Sequence, residues 1–298
     1  MDAMAAHMPV VQRGEAAYQA LRRQRRNQTL LGLAVLAAAL LLAARISEFY
    51  PSSLLAGLPR IGEYFAKVLP SLTWQNLLAD WETEGSLAFW FYRLDKWALL
   101  LLQTAQMAAL ATLGGAAVAL LLAFPAARNL APSRLIHQLT RRGLEATRTV
   151  PEIVYALIFV WAFGVGPLAG ILAIMIHTAG ALGKLFAEVI ENAEMQPWDG
   201  VRASGGNWAQ ACRYAILPQV APNLLSYALL RFEINVRGAS VIGFVGAGGI
   251  GQELYQVIAF NYYEEISAIV VLIILAVVMI DLLSERLRHR LITVDGAR

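Results

Sequence analysis

Four polar side chains interrupt a hydrophobic run: Arg231, Glu233, Asn235 and Arg237 all fall within residues 221–242. A charge held in hydrocarbon costs about 2.5–3.5 kcal/mol on insertion scales, so it needs a partner or a wet path. Glu233 and Arg237 are one helical turn apart and can pair; Arg231 and Asn235 form a second such set. Two chemistries fit. One is an ion pair that steadies helix packing. The other is a guanidinium in a wet path for an anion, because its planar fork grips oxyanions through two hydrogen bonds. Ser240 would add a hydroxyl to such a path. Arg148, at the head of another apolar run, is either a gate or an interfacial anchor. His177 and Thr178 lie inside a further run, where a buried hydrogen-bonded histidine is expected before a ligand site. Lys184 and Glu188 read as a structural pair four residues apart.

A glycine-rich segment poses a different question. Gly246-Ala247-Gly248-Gly249-Ile250-Gly251 satisfies G-x-G-x-x-G, follows the strand-like Val241–Val245, and precedes Glu264 and Glu265 near the spacing of a ribose-binding acid. A dinucleotide fold also needs a second short strand within about thirty residues. Ile266–Leu283 is instead an apolar run of membrane length. The glycines therefore read as points of close helix approach, or as backbone lining a cavity. A membrane-bound NAD(P)-dependent oxidoreductase is the remote alternative from another functional class, and a purely structural membrane scaffold is a third.

The elements that must position these groups follow from composition. The 298 residues are 58% hydrophobic and only 15% charged, with mean hydropathy +0.55. A soluble core does not need repeated apolar runs of about 17–25 residues, whereas a bilayer does. The chain reads as an all-α polytopic membrane protein with six spans near residues 28–45, 97–123, 147–165, 168–188, 221–242 and 266–284. Residues 1–27 form an N-terminal tail. Arg22-Arg23-Gln24-Arg25-Arg26 precedes the first span, which is an uncleaved anchor, since LLAARIS makes a poor cleavage site. Arg128, Arg134, Arg141 and Arg142, and then Arg286, Arg288 and Arg290, mark two more cytoplasmic regions. Both termini are thus expected inside, with 291–298 as a cytoplasmic tail. Residues 46–96 lie outside and carry Trp74, Trp81, Trp90, Phe91 and Tyr92, with Trp97 just beyond, rings that favour the outer interface. The arginines flank apolar runs instead of forming one stripe, which argues against nucleic acid as a partner. The single Cys212 excludes an internal disulfide, and no metal-ligand cluster is visible.

Within the core region 97–290, the long cytoplasmic connection 189–220 is where a partner could grip the spans. Pro197 suits the first turn of a helix, and Asp199 favours the positive end of its dipole. Gly205-Gly206 would end that helix in a left-handed elbow. Asn207 can cap a second helix through Tyr214, before Leu217-Pro218.

This stretch resembles the "EAA loop" of ABC-importer permeases. Asp199-Gly200-Val201 stands for the acidic-small-small start, Gly205 follows four residues after Val201, and Leu217-Pro218 closes the motif. Aspartate replaces the usual glutamate, Gly200-Val201 the usual small pair, and Ala215 the isoleucine expected two residues before Leu217. GFVGAGGIGQEL, after Arg231–Arg237, is similar to the phosphonate-type branch of these permeases and more loosely to the methionine-importer branch, as is Arg148-Thr149-Val150-Pro151. The resemblance covers roughly residues 95–290. It implies the type I importer permease fold, with Pro197, Trp198, Asp199, Gly200, Val201, Arg202, Ala203, Ser204, Gly205, Leu217 and Pro218 coupling to an ATPase. It also implies a permease homodimer in lipid, a cytoplasmic ABC ATPase dimer carrying ATP and Mg, and an external substrate-binding protein. This chain itself would hold no cofactor and would be no enzyme. The implied setting is the bacterial inner membrane. The implied cargo is a small oxidised-phosphorus anion (phosphonate, phosphite or hypophosphite), with a methionine-type amino acid as the alternative.

Overall fold

The computed structural model describes residues 10–295 and the side chains of residues 14–288. Residues 1–9 of the expected N-terminal tail, residues 296–298 of the C-terminal one and the Arg290 side chain lie outside the described residues. The chain forms two compact units, Met1–Ala66 and Lys67–Arg298.

The first unit is built from α1 (Val10–Ile46) and most of α2 (Pro51–Val68). The described part of the expected tail is not a separate segment but runs into the anchor as one helix of 37 residues. Alanine, leucine, arginine and glutamine all favour helix, and no proline interrupts them. The helix ends where Glu48 takes a left-handed φ of 54°, and Pro51 starts α2, where its missing N–H costs nothing.

The second unit opens with the end of α2, an irregular segment and the single turn α3 (Leu87–Trp90), capped by Ser86, whose hydroxyl accepts from the Phe89 N–H. Then follow α4 (Leu94–Ala126), α5 (Arg134–Thr149), α6 (Glu152–Phe163), α7 (Pro167–Glu191), α8 (Gln196–Ala203), α9 (Trp208–Ala211), α10 (Leu217–Ile242), α11 (Gly249–Ala259) and α12 (Tyr263–Asp295). No strand occurs among the described residues. The main seam joins α4 to α7 through small residues. A methyl at Gly115 would fall 2.8 Å from the Thr178 side chain and 2.9 Å from the Met175 carbonyl. Bare backbone here lets the two helices approach closely, which is how helices gain packing energy in a bilayer. Trp97, read from sequence as an interfacial ring, is fully buried, against Ile250, Ile266 and Ile269; Trp74 and Trp81 remain exposed.

Helices α1, α4, α7 and α12 are each long and apolar enough to cross a membrane. The run 147–165 is not one unbroken helix. Pro151 forces Val150 into extended backbone (ψ 126°), and α5 and α6 meet at 84°. Taken as one broken span, this pair is the fifth. The sixth apolar run is α10, where Arg231, Glu233 and Arg237 lower the hydropathy.

The glycine segment is not a nucleotide loop. Val241–Val245 is helical, ending in a tight turn at Gly243–Val245. Gly246 and Gly248 then take φ near 85°, the left-handed region that glycine enters freely. Gly246 accepts from the Gly166 N–H at 2.9 Å, so the loop seats on the α6–α7 turn. At Gly251 a methyl would collide with the Ser240 carbonyl of α10. The spacing that mimics a dinucleotide fingerprint serves close packing.

Candidate functional site

Three helices bring titratable groups together inside the second unit. Arg231 of α10 donates from Nη2 to Glu152 Oε1, at the head of α6, at 2.7 Å. His177 of α7 places Nδ1 2.8 Å from the same carboxylate oxygen and 2.6 Å from Arg231 Nη2. Nδ1 either donates to Glu152 or accepts from Arg231, according to tautomer. The three side chains keep 13–19% of their surface. Arg231 Nε also points at the Thr178 hydroxyl, at 3.4 Å. Below it, Asn235 is fully buried and donates from Nδ2 to Thr112 at 2.8 Å and to Thr178 at 2.9 Å. Its Oδ1 has no hydrogen-bond partner among the described residues. Thr112 lies about 22 Å along α4 from Trp97, at 1.5 Å per residue. The cluster therefore sits well inside the apolar layer, where unpartnered polar groups are costly.

The pairs expected along α10 do not form. Glu233 is buried and takes its ion pair from Arg288 of α12 at 3.1 Å, not from Arg237. Arg237 is exposed, on a stripe with Leu230, Ile234 and Val241. Arg231 and Asn235 share Thr178 but do not bond each other. Packing between helices brings Glu152 and Arg288 closer than the next turn of α10 does. Ser240 donates back to the Val236 carbonyl at 3.3 Å and borders an apolar cavity of about 340 Å³, away from the Arg231 cluster. Arg148 is exposed. His177 is hydrogen-bonded, as the sequence suggests, and Lys184 stands 3.9 Å from Glu188.

The connection 189–220 folds as an elbow. Pro197 lies in the first turn of α8 with Asp199, and Gly205 turns the chain with φ 88°. Asn207 then caps α9 in a reciprocal box with Gln210. Trp198 and Val201 pack inward on the cluster around Phe186, Ile190 and Ile216. Asp199, Gly200, Arg202, Ala203, Ser204 and Gly205 stay exposed. The second arm departs from expectation. It does not stop before Leu217-Pro218 but passes through a π-turn at Cys212–Ile216 directly into α10. Pro218 lacks an N–H and crowds the carbonyl one turn back, and the wider turn accommodates both. Cys212 is buried in this turn, and desolvation pushes its thiol up to about 11.

Three side chains tie the elbow and its flanking segments to their neighbours. Trp208 Nε1 donates to the Leu130 carbonyl at 2.7 Å. Gln219 accepts from the Glu194 N–H at 3.1 Å and donates to the Glu194 carbonyl at 3.2 Å. Asn129 donates to the Ile190 carbonyl at 3.1 Å. Sequence reasoning passed over Glu152, Trp208 and Gln219. Only Glu152 carried a signal, an acid directly after the Pro151 helix start and heading an apolar run.

Residues 115–292 match the family described as "Binding-protein-dependent transport system inner membrane component", and the chain belongs to that family. The phosphite transport system permease protein PtxC of Stutzerimonas stutzeri is 41% identical over 192 residues, 64% of this chain and 70% of that protein. The putative phosphite transport system permease protein HtxC of the same organism is 39% identical over 63% of this chain and 66% of its own. The phosphate-import permease protein PhnE of Mycolicibacterium smegmatis is 37% identical over 64% of this chain and 36% of its own. The chain thus spans between 36% and 70% of these relatives' lengths. Among solved structures, the inward-facing MetNI methionine ABC transporter aligns with TM-score 0.56 and 20% identity, over 65% of this chain and 95% of that one. A bacterial ABC transporter involved in alginate import aligns with TM-score 0.55 and 15% identity, over 89% and 99%. At such identities the likeness is one of fold, and the fold is that of an ABC importer permease.

Proposed function

We propose that this chain carries a small oxidised-phosphorus anion (phosphonate, phosphite or hypophosphite) into the cytoplasm, driven by ATP hydrolysis in a partner subunit. The observation that carries the reading is Arg231, a guanidinium set among apolar helices and held by side chains of two neighbouring ones. The cargo named for the relatives from Stutzerimonas stutzeri supports the same class. The exposed face of α8 supports coupling. Its inner face, Trp198 and Val201, packs on the cluster that includes Phe186, Ile190 and Ile216, so a push on Asp199 or Arg202 is passed to the spans. Two copies of this chain form the path, with α10 and its exposed Arg237 facing it. A cytoplasmic ATPase dimer binds ATP and Mg and docks on the elbow, and an external binding protein delivers cargo. All six apolar runs cross the bacterial inner membrane, and both termini are cytoplasmic. The test is uptake by the complex purified through a tag on this chain and reconstituted in liposomes. ATP-dependent accumulation of phosphite or methylphosphonate, competed by neither methionine nor sulfate, is expected. Accumulation of methionine instead would establish the amino-acid reading.

A further inference from the structure

Arg231 and His177 turn nitrogens toward one point, and the group that fills it is a carboxylate of the chain itself. We propose that Glu152 occupies a transient oxyanion site, holding it between transport events and yielding it to a tetrahedral phosphorus oxyanion. The inference rests on the anion-importer reading and assigns the place where cargo pauses.

The geometry supports a shared site more than a packing pair. Glu152 Oε1 receives both Arg231 Nη2 at 2.7 Å and the His177 side at 2.8 Å. With Nδ1 protonated, two donors converge on one oxygen, as they would on a phosphoryl oxygen. The other carboxylate oxygen borders Gly238, where a methyl would stand 3.1 Å away, so the absence of a side chain leaves room there. Asn235 supplies what a carboxylate cannot use. Its Oδ1 is buried without a donor, one hydroxyl away from Arg231 through Thr178, and a P–OH group or a water would satisfy it. Pairing with Glu152 also answers a constraint on any conducting site. A bare arginine in a dry layer would hold an anion too tightly to release it, whereas a competing carboxylate weakens binding by its own affinity for the same donors. No bond is made or broken; one anion replaces another.

Chemical rescue tests this with the whole purified complex. Glu152→Gln strands Arg231 and should lower the melting temperature of the permease. Inorganic phosphite at millimolar concentration should restore most of the loss, while sodium chloride at equal ionic strength should not. Glu152→Gln with Arg231→Gln removes both charges; it should fold at near wild-type yield and gain nothing from phosphite. Phosphite affinity of the Glu152→Gln complex, by calorimetry, should exceed wild type at least tenfold. The proposal is overturned if phosphite fails to stabilise Glu152→Gln, or if it stabilises the double variant equally. Should the single variant not be recoverable, Glu152→Asp keeps the charge on a shorter stem. Phosphite should then stabilise it more than wild type, and equal stabilisation would overturn the site. The two readings fail separately. Rescue without phosphite uptake by the wild-type complex would refute the cargo and leave the site; uptake without rescue would do the reverse.

Discussion

Glu233 of α10 is held by Arg288 of α12 at 3.1 Å, across a helix interface and not along its own helix. The pair ties the inner part of the last helix to the helix that follows the elbow. Glu233→Gln or Arg288→Gln alone should cost about 2–3 kcal/mol. This is less than for a fully buried pair, because Arg288 keeps 27% of its side-chain surface. The double Gln variant should recover most of the loss, as measured by melting temperature and folded yield. Arg237→Gln should leave both unchanged. Should Arg237→Gln unfold the protein while Arg288→Gln does not, the pairing is wrong.

Asp199→Lys reverses the charge on the outer face of α8 without touching Trp198 or Val201. The permease should fold normally and lose ATP-driven uptake by more than tenfold, with stimulated ATPase activity falling in parallel. Gly205→Val forces a branched side chain into φ 88°, at a cost of roughly 1–2 kcal/mol confined to the elbow. It should also uncouple. Normal uptake by both variants at normal expression would remove the elbow from the coupling pathway.

Two glycines should behave in opposite ways. At Gly251 a methyl meets the Ser240 backbone, whereas at Gly200 it meets nothing within 4 Å. Gly251→Ala should therefore abolish folded yield or sharply lower the melting temperature. Gly200→Ala should raise stability by up to about 1 kcal/mol, since alanine is the better helix former. If Gly200→Ala still loses uptake, a partner needs the bare backbone there; unchanged uptake shows that a methyl is tolerated at the docking face.

Cys212 should not react with maleimides in the folded protein at pH 7–8. Only the thiolate attacks, and burial raises the thiol from 9.0 to about 11. Labelling should rise as pH approaches that value, or on unfolding. Topology is better read at Ser204, which is exposed. In a Cys212→Ala background, Ser204→Cys should react with an impermeant reagent in inverted vesicles and not in intact cells. Reaction from outside would overturn the six-span arrangement.

What the sequence determined by itself is local or set by length. Apolar runs of bilayer length announce α4, α7 and α12, because crossing about 30 Å needs about twenty residues whatever they pack against. Pro197, Gly205 and Asn207 announce the elbow, because a missing N–H, a left-handed φ and a side-chain cap act within one turn. Tertiary structure decided the rest. Arg237 is within reach of Glu233 by helix geometry, but it faces outward while Arg288 approaches the buried side. Glu152 lies 79 residues from Arg231, and no periodicity in either helix could bring them together. The break at Pro151, and the packing of α6 and α10 against α7, set that meeting. A charge in an apolar helix says that a partner must exist; which partner depends on how neighbouring helices cross, and that is a property of the packed bundle.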